Sequence, residues 1–147
     1  MKNDNFYLII PASGTGTRME SEIPKQYLKL ENKLTLIEQC LKTCLEIKKI
    51  EGFIVALSVE DSLFKSSPYF NHTKLIGIAK GGSERYHSVL SALNTLNKIA
   101  KPNDWILVHD SVRPCIKSKD IEMLINEVIK HPIGGILATK IVDTIKK

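Results

Sequence analysis

The chain has 147 residues, 43% of them apolar, and a formal net charge of +5. That length suits one domain with its own core and leaves little room for a second complete one, and no run approaches the ~20 consecutive apolar residues that span a bilayer. The positive charge points to an acidic partner, yet of 21 basic residues only Arg18, Arg85 and Arg113 are arginine, and the lysines lack the clustering with interleaved aromatics of a nucleic-acid surface.

In chain order, Phe6 to Ile10 is a short β-branched and aromatic run that predicts a buried strand, ended by Pro11. A glycine loop follows, Ser13-Gly14-Thr15-Gly16-Thr17-Arg18, and then Pro24-Lys25-Gln26. Leu34, Ile37, Cys40, Leu41, Cys44 and Leu45 keep helical spacing and predict an amphipathic helix, with Gly52 as a break behind it. Residues 53–59 predict a second strand, a polar Ser/Pro-containing surface loop comes next, and 75–79 predict a third strand. Gly81-Gly82 opens a helix whose apolar stripe is Val89, Leu90, Leu93 and Leu96. Residues 105–108 predict a fourth strand ending at His109-Asp110. Ser118 is placed to cap a last helix through Ile121, Leu124, Ile125 and Val128, with Asp120 in its first turn. Residues 136–139 predict a fifth strand.

Strands alternating with helices in the order β-α-β-β-α-β imply an α/β fold, a Rossmann-like three-layer sandwich with a mostly parallel sheet over residues 1–147. Three loops then gather at one sheet edge: 11–25, 81–88 and 109–114. Cys40, Cys44 and Cys115 are an odd set without a C-x-x-C pair, and no leader segment precedes the first strand; the expectation is a reducing cytoplasm, with Cys40 and Cys44 in the core.

The glycine loop lacks the third glycine of a dinucleotide fingerprint and the G-x-x-x-x-G-K-[ST] spacing of a P-loop. Gly14 and Gly16 can adopt positive φ and let backbone N–H groups approach phosphate oxygens, with Arg18 and Lys25 supplying charge. Pro24 restricts the backbone from which Lys25 leaves, so the lysine reads as a held clamp. Gly82, Ser83, Arg85 and Ser88 lie at a helix start suited to a base or an anion, the alternative being a plain helix start capped by Ser83. Asp110, just past a strand, suits a Mg²⁺ shared with phosphate oxygens, and Arg113 a second phosphate; the alternative is an Asp–Arg pair that pins the loop. His87 has no orienting partner legible in the sequence.

Taken in order, PASGTGTRM, PKQYL, GGSERYHSV, HDSVRP and VDTIK resemble the 2-C-methyl-D-erythritol 4-phosphate cytidylyltransferases, nucleotidyltransferases of Rossmann-like fold. The resemblance implies homodimeric enzymes in which Pro11, Ala12, Ser13, Gly14, Thr15, Gly16, Gly82, Ser83, Arg85, Ser88 and Ser111 hold CTP. It implies Arg18 and Lys25 as the transition-state clamp, Asp110 as the Mg²⁺ ligand, and Arg113 with Thr144 across the dimer as contacts to the acceptor phosphate. Val112 stands where the isoprenoid enzymes usually carry alanine and ribitol-5-phosphate cytidylyltransferases often carry valine, so ribitol 5-phosphate is the alternative acceptor. The family also continues past VDTIK through a dimerisation arm and further elements. This chain is therefore expected to be a truncated form that turns over poorly alone, the second alternative being a non-catalytic nucleotide-binding module.

The chemistry agrees with the motifs. A phosphate monoester is largely ionised near neutral pH, its second pKa being about 6, so its oxygen can attack the α-phosphorus of CTP without a general base. Catalysis then reduces to positioning and neutralising charge.

Overall fold

The computed structural model describes residues 5–14, 23–131 and 133–140. Four strands, β1 (Phe6–Pro11), β2 (Ile50–Leu57), β3 (Leu75–Lys80) and β4 (Trp105–Val108), form one sheet in the order β3-β2-β1-β4. All three pairings are parallel. β1 and β2 lie at the centre and are buried on both faces, which is why their sequences, apart from the exposed Glu51 near the start of β2, are apolar runs instead of alternating.

Helices α1 (Leu36–Leu45), α2 (Arg85–Leu96) and α3 (Ser118–Val128) complete three layers. Successive strand side chains point to opposite faces. Phe6, Leu8, Ile10, Phe53 and Val55 pack with α1 and α3 residues such as Ile37, Leu41, Ile121 and Ile125. Tyr7, Ile9, Ile54 and Ala56 pack with Ala92 and Leu96 of α2 on the other face. The predicted element order through the last helix and the parallel α/β architecture are those observed.

Several local expectations are corrected. Pro11 does not stop the ladder: it pairs with Ala56, and the Ala12 N–H donates to the Ala56 carbonyl at 2.8 Å. A proline at the strand's last position gives up a donor without ending the pairing. β2 starts and ends earlier than predicted, and Gly52 lies inside it, where a Cβ would come within 2.6 Å of Ile76 Cδ1; this glycine serves close packing instead of a break.

The buried stripe of α2 is Ser88, Ala92 and Leu96. Leu90 and Leu93, expected in the core, are 53% and 37% exposed, because small residues four apart bring the helix close to the sheet on a neighbouring face. Ser118 is the first helical residue of α3 and not its cap; the cap position is Lys117, which makes no side-chain cap bond, while Asp120 does lie in the first turn.

The 58–74 connection is less superficial than its polarity implied. It folds into 3-10 turns at Phe64–Ser66 and Pro68–Asn71, and Phe64 is 1% exposed, edge-on to Phe70 at 6.3 Å. Residues 136–139 form no strand, and Ile136 is 85% exposed. An apolar run becomes a strand only where a neighbour takes its ladder bonds.

Candidate functional site

Parallel strands deliver their carboxyl ends to one edge, where α/β folds bind ligands. The loops after β1, β3 and β4 meet there around a cavity of about 570 Å³. Its lining includes Pro11, Ala12, Ser13, Gly14, Lys25, Gly82, Ser83, Arg85, Ser88, Asp110 and Ser111. The three predicted loops thus converge. Arg113 joins through Asp110, whereas Thr15, Gly16, Arg18 and Thr144 lie outside the described residues.

Two serines join the first two loops. Ser13 Oγ lies 2.8 Å from Ser88 Oγ and 3.5 Å from the Gly82 carbonyl oxygen, and the Gly82 N–H donates to Ser88 Oγ at 3.1 Å. Ser88 is fully buried. A Cβ on Gly81 would sit 2.1 Å from Ser13 Cβ, so this close approach requires a glycine. Among the described residues nothing lies within 4 Å of the direction a side chain on Gly14 would take, and Gly14 does not use the positive φ open to a glycine. Ser83 does not cap α2, since Glu84 occupies that position without a side-chain bond. Instead Ser83 Oγ lies 3.3 Å from His87 Nδ1, the partner the sequence did not reveal.

Lys25 begins a 3-10 turn, Lys25–Tyr27, behind Pro24 at φ −55° and ψ 137°. The turn closes through Tyr27 N–H to the Pro24 carbonyl at 2.9 Å and Leu28 N–H to the Lys25 carbonyl at 3.1 Å. The held backbone expected from Pro24 is present.

Asp110 is the electrostatic focus. Arg85 Nε donates to its Oδ1 at 2.9 Å and Arg113 Nε to its Oδ2 at 2.8 Å. Partial burial works to raise its pKa, but the hydrogen bonds and charges of the two guanidinium groups outweigh this and hold the carboxyl below its ordinary range. The Asp–Arg pair that pins the loop is therefore present, and Arg85, from the segment after β3, joins Arg113 on the same carboxylate. Burial lowers the pKa of neighbouring His109, whose Nε2 lies 3.1 Å from the Arg113 carbonyl oxygen.

Among the described residues no three His, Cys, Asp or Glu side chains cluster as metal ligands. Mg²⁺ nevertheless fits Asp110, because this ion is commonly held by one or two carboxylates plus substrate phosphates, and Asp110 Oδ2, which accepts from Arg113 Nε, keeps a second lone pair, whereas Oδ1 faces both Nε and an Nη of Arg85 at 2.9 Å.

Sequence reasoning missed Gln26 and Glu84 in the cavity wall. It also missed that Cys40, correctly placed in the core, directs its thiol to the carbonyl oxygens of Asp110 and Ser111 at 3.6 and 3.5 Å. Gln26 belonged to a noted motif, but glutamine is usually exposed and carried no signal.

Residues 6–147 match the sequence profile described as 2-C-methyl-D-erythritol 4-phosphate cytidylyltransferase. The chain belongs to that family. A cytidylyltransferase of this name from Vesicomyosocius okutanii is 53% identical over all of this chain and 64% of its own length. One from Vibrio cholerae is 42% identical over 98% of this chain and 61% of its own. The crystal structure of the Francisella tularensis enzyme superposes with a TM-score of 0.79 at 35% identity, covering 98% of this chain and 61% of that one. The chain thus spans less than two thirds of the length of these cytidylyltransferase relatives.

Proposed function

We propose that this chain performs cytidylyl transfer from CTP to 2-C-methyl-D-erythritol 4-phosphate, releasing pyrophosphate and giving the CDP-methylerythritol of isoprenoid biosynthesis. The observation that carries this reading is the convergence of Lys25, the serine-linked 13 and 82–88 segments and the Arg85–Asp110–Arg113 cluster on one cavity at the carboxyl edge of the sheet, in a chain of this family.

The roles follow from the chemistry of each group. The Pro11–Gly14 segment and Gly82, Ser83 and Ser88 present backbone and hydroxyl groups to the nucleotide, with Arg85 and Ser111 beside them. Lys25, together with Arg18, neutralises charge that develops on the α-phosphate as the acceptor oxygen attacks in line. Arg113, bonded to Asp110 through Nε but with 74% of its side chain exposed, offers its remaining N–H groups to the acceptor phosphate, and Thr144 of a second subunit contributes to the same phosphate in a homodimer. Asp110 would hold Mg²⁺, which when bound supplies charge neutralisation to the triphosphate oxygens. No side chain is needed to remove a proton from the ionised phosphate.

In this reading the partners are small phosphorylated molecules; separately, no helix among the described residues is long and apolar enough to cross a membrane. Cys40, Cys44 and Cys115 are free thiols, which supports a reducing cytoplasmic setting. The test is pyrophosphate release from CTP with each acceptor. Release with methylerythritol phosphate and not with ribitol 5-phosphate is the expected result. The reverse preference would move the substrate assignment, and nucleotide binding without release would leave a binding module.

A further inference from the structure

Gln26 is only 5% exposed, and a buried amide persists where its polar atoms are bonded. Its Nε2 donates to the Ala12 carbonyl oxygen at 2.8 Å. That oxygen only accepts, so the partner fixes which end of the amide faces it. Ala12 is itself held by the bond from its N–H to the Ala56 carbonyl at 2.8 Å. Gln26 therefore ties the turn that begins with Lys25 to the last bond between β1 and β2. On the far side of the same turn, Tyr27 donates to Asp61 at 2.6 Å. A lysine ammonium rides on a flexible four-carbon stem, so its reach is set by where its backbone is fixed.

We propose that Gln26 is a positioning residue: its bond to Ala12 holds the Lys25 turn against the Pro11–Gly14 wall, so that the ammonium meets the nucleotide phosphate. This rests on the cytidylyl-transfer reading for its catalytic consequence and on geometry alone for the anchoring. Gln26→Met keeps the volume and removes the amide. Gln26→Glu places a carboxylate against the Ala12 carbonyl when ionised and regains a donor when protonated.

Hydrogen exchange on the full chain reads the anchor directly. Gln26→Met should lose roughly tenfold protection at the Tyr27 and Leu28 amides, the scale of one hydrogen bond, with amides of α1 and β2 unchanged. Gln26→Glu should recover that protection as the pH is lowered through the pKa of its carboxyl, and it serves alone should Gln26→Met not fold. In transfer assays kcat should fall roughly 10- to 100-fold with the KM for CTP nearly unchanged. Gln26→Met should cost nothing further in a Lys25→Ala background, since both act through one group. Unchanged local protection, or losses that add, would overturn the proposal. A wild-type chain that transfers nothing would reject the reading of the activity instead, and the exchange measurement would then decide the role of Gln26.

Discussion

Gly81 shows how much a single missing methyl group can decide. A Cβ there would meet Ser13 Cβ, in the loop after β1, at 2.1 Å and the carbonyl oxygen of Leu57, at the end of β2, at 3.0 Å. Gly81→Ala should therefore destabilise the fold by about 1–3 kcal/mol, the usual cost of overpacking, and weaken CTP binding, as denaturant titration and calorimetry would measure. The three thiols give a second prediction. Cys115 is exposed, whereas burial pushes Cys40 up to about 11 and Cys44 to about 12, so iodoacetamide at neutral pH should modify Cys115 first. The folded state holds these buried protons more tightly than the unfolded one. Their contribution to stability is full below the ordinary value of 9.0 and is lost as pH rises through about 11. Melting temperatures taken across that window should fall less steeply in Cys40→Ala; an unchanged slope would contradict the assignment. At this scale the sequence disclosed charge but not contact. Lys25, Asp110 and the arginines were legible as types suited to phosphate, while the pairing of Arg85 with Asp110, 25 positions apart, depends on a meeting of loops that no local pattern records.

Elements were legible where periodicity and burial agree and illegible where small residues or neighbours decide. α1 was found from its apolar stripe, and its start is fixed by Thr35 and Glu38: Glu38 N–H donates to Thr35 Oγ1 at 3.3 Å, and Thr35 N–H to Glu38 Oε2 at 2.8 Å. Thr35→Ala should cost about 1 kcal/mol in chemical denaturation. The buried stripe of α2 was missed because Ser88 and Ala92 are weak apolar signals beside Leu90 and Leu93, although closeness to the sheet favours the smaller side chains. The segment 136–139 was misread because its composition suits a strand, whereas among the described residues no neighbour pairs with it. Phe64 lay unnoticed in a polar connection, yet it is enclosed in the main core. Phe64→Ala should therefore cost about 3–5 kcal/mol, far more than any polar substitution in the same loop.

Over the whole molecule, the sheet order β3-β2-β1-β4 places the loops after β3 and β4 on either side of the one after β1. Arg85, at the start of a helix on one face of the sheet, and Arg113, ahead of a helix on the other, share Asp110 between them. Substrate binding that recruits these guanidinium groups should depend on salt, since the screening length shrinks from ~10 Å at 0.1 M to ~3 Å at 1 M. CTP affinity measured by calorimetry is expected to weaken over that range, and less so in Arg85→Ala than in the parent chain. Equal salt slopes would remove Arg85 from the nucleotide site.

The two serines between the first and second loops carry a last consequence. The Gly82 amide can only give a hydrogen and the Gly82 carbonyl can only receive one. A single sense of circulation satisfies all three contacts: amide to Ser88, Ser88 to Ser13, Ser13 back to the carbonyl of the residue where the circuit began. Bonds chained in one direction polarise each other. A ligand atom that diverts either hydroxyl hydrogen therefore opens the loop of bonds, and two segments 69 positions apart report its arrival together.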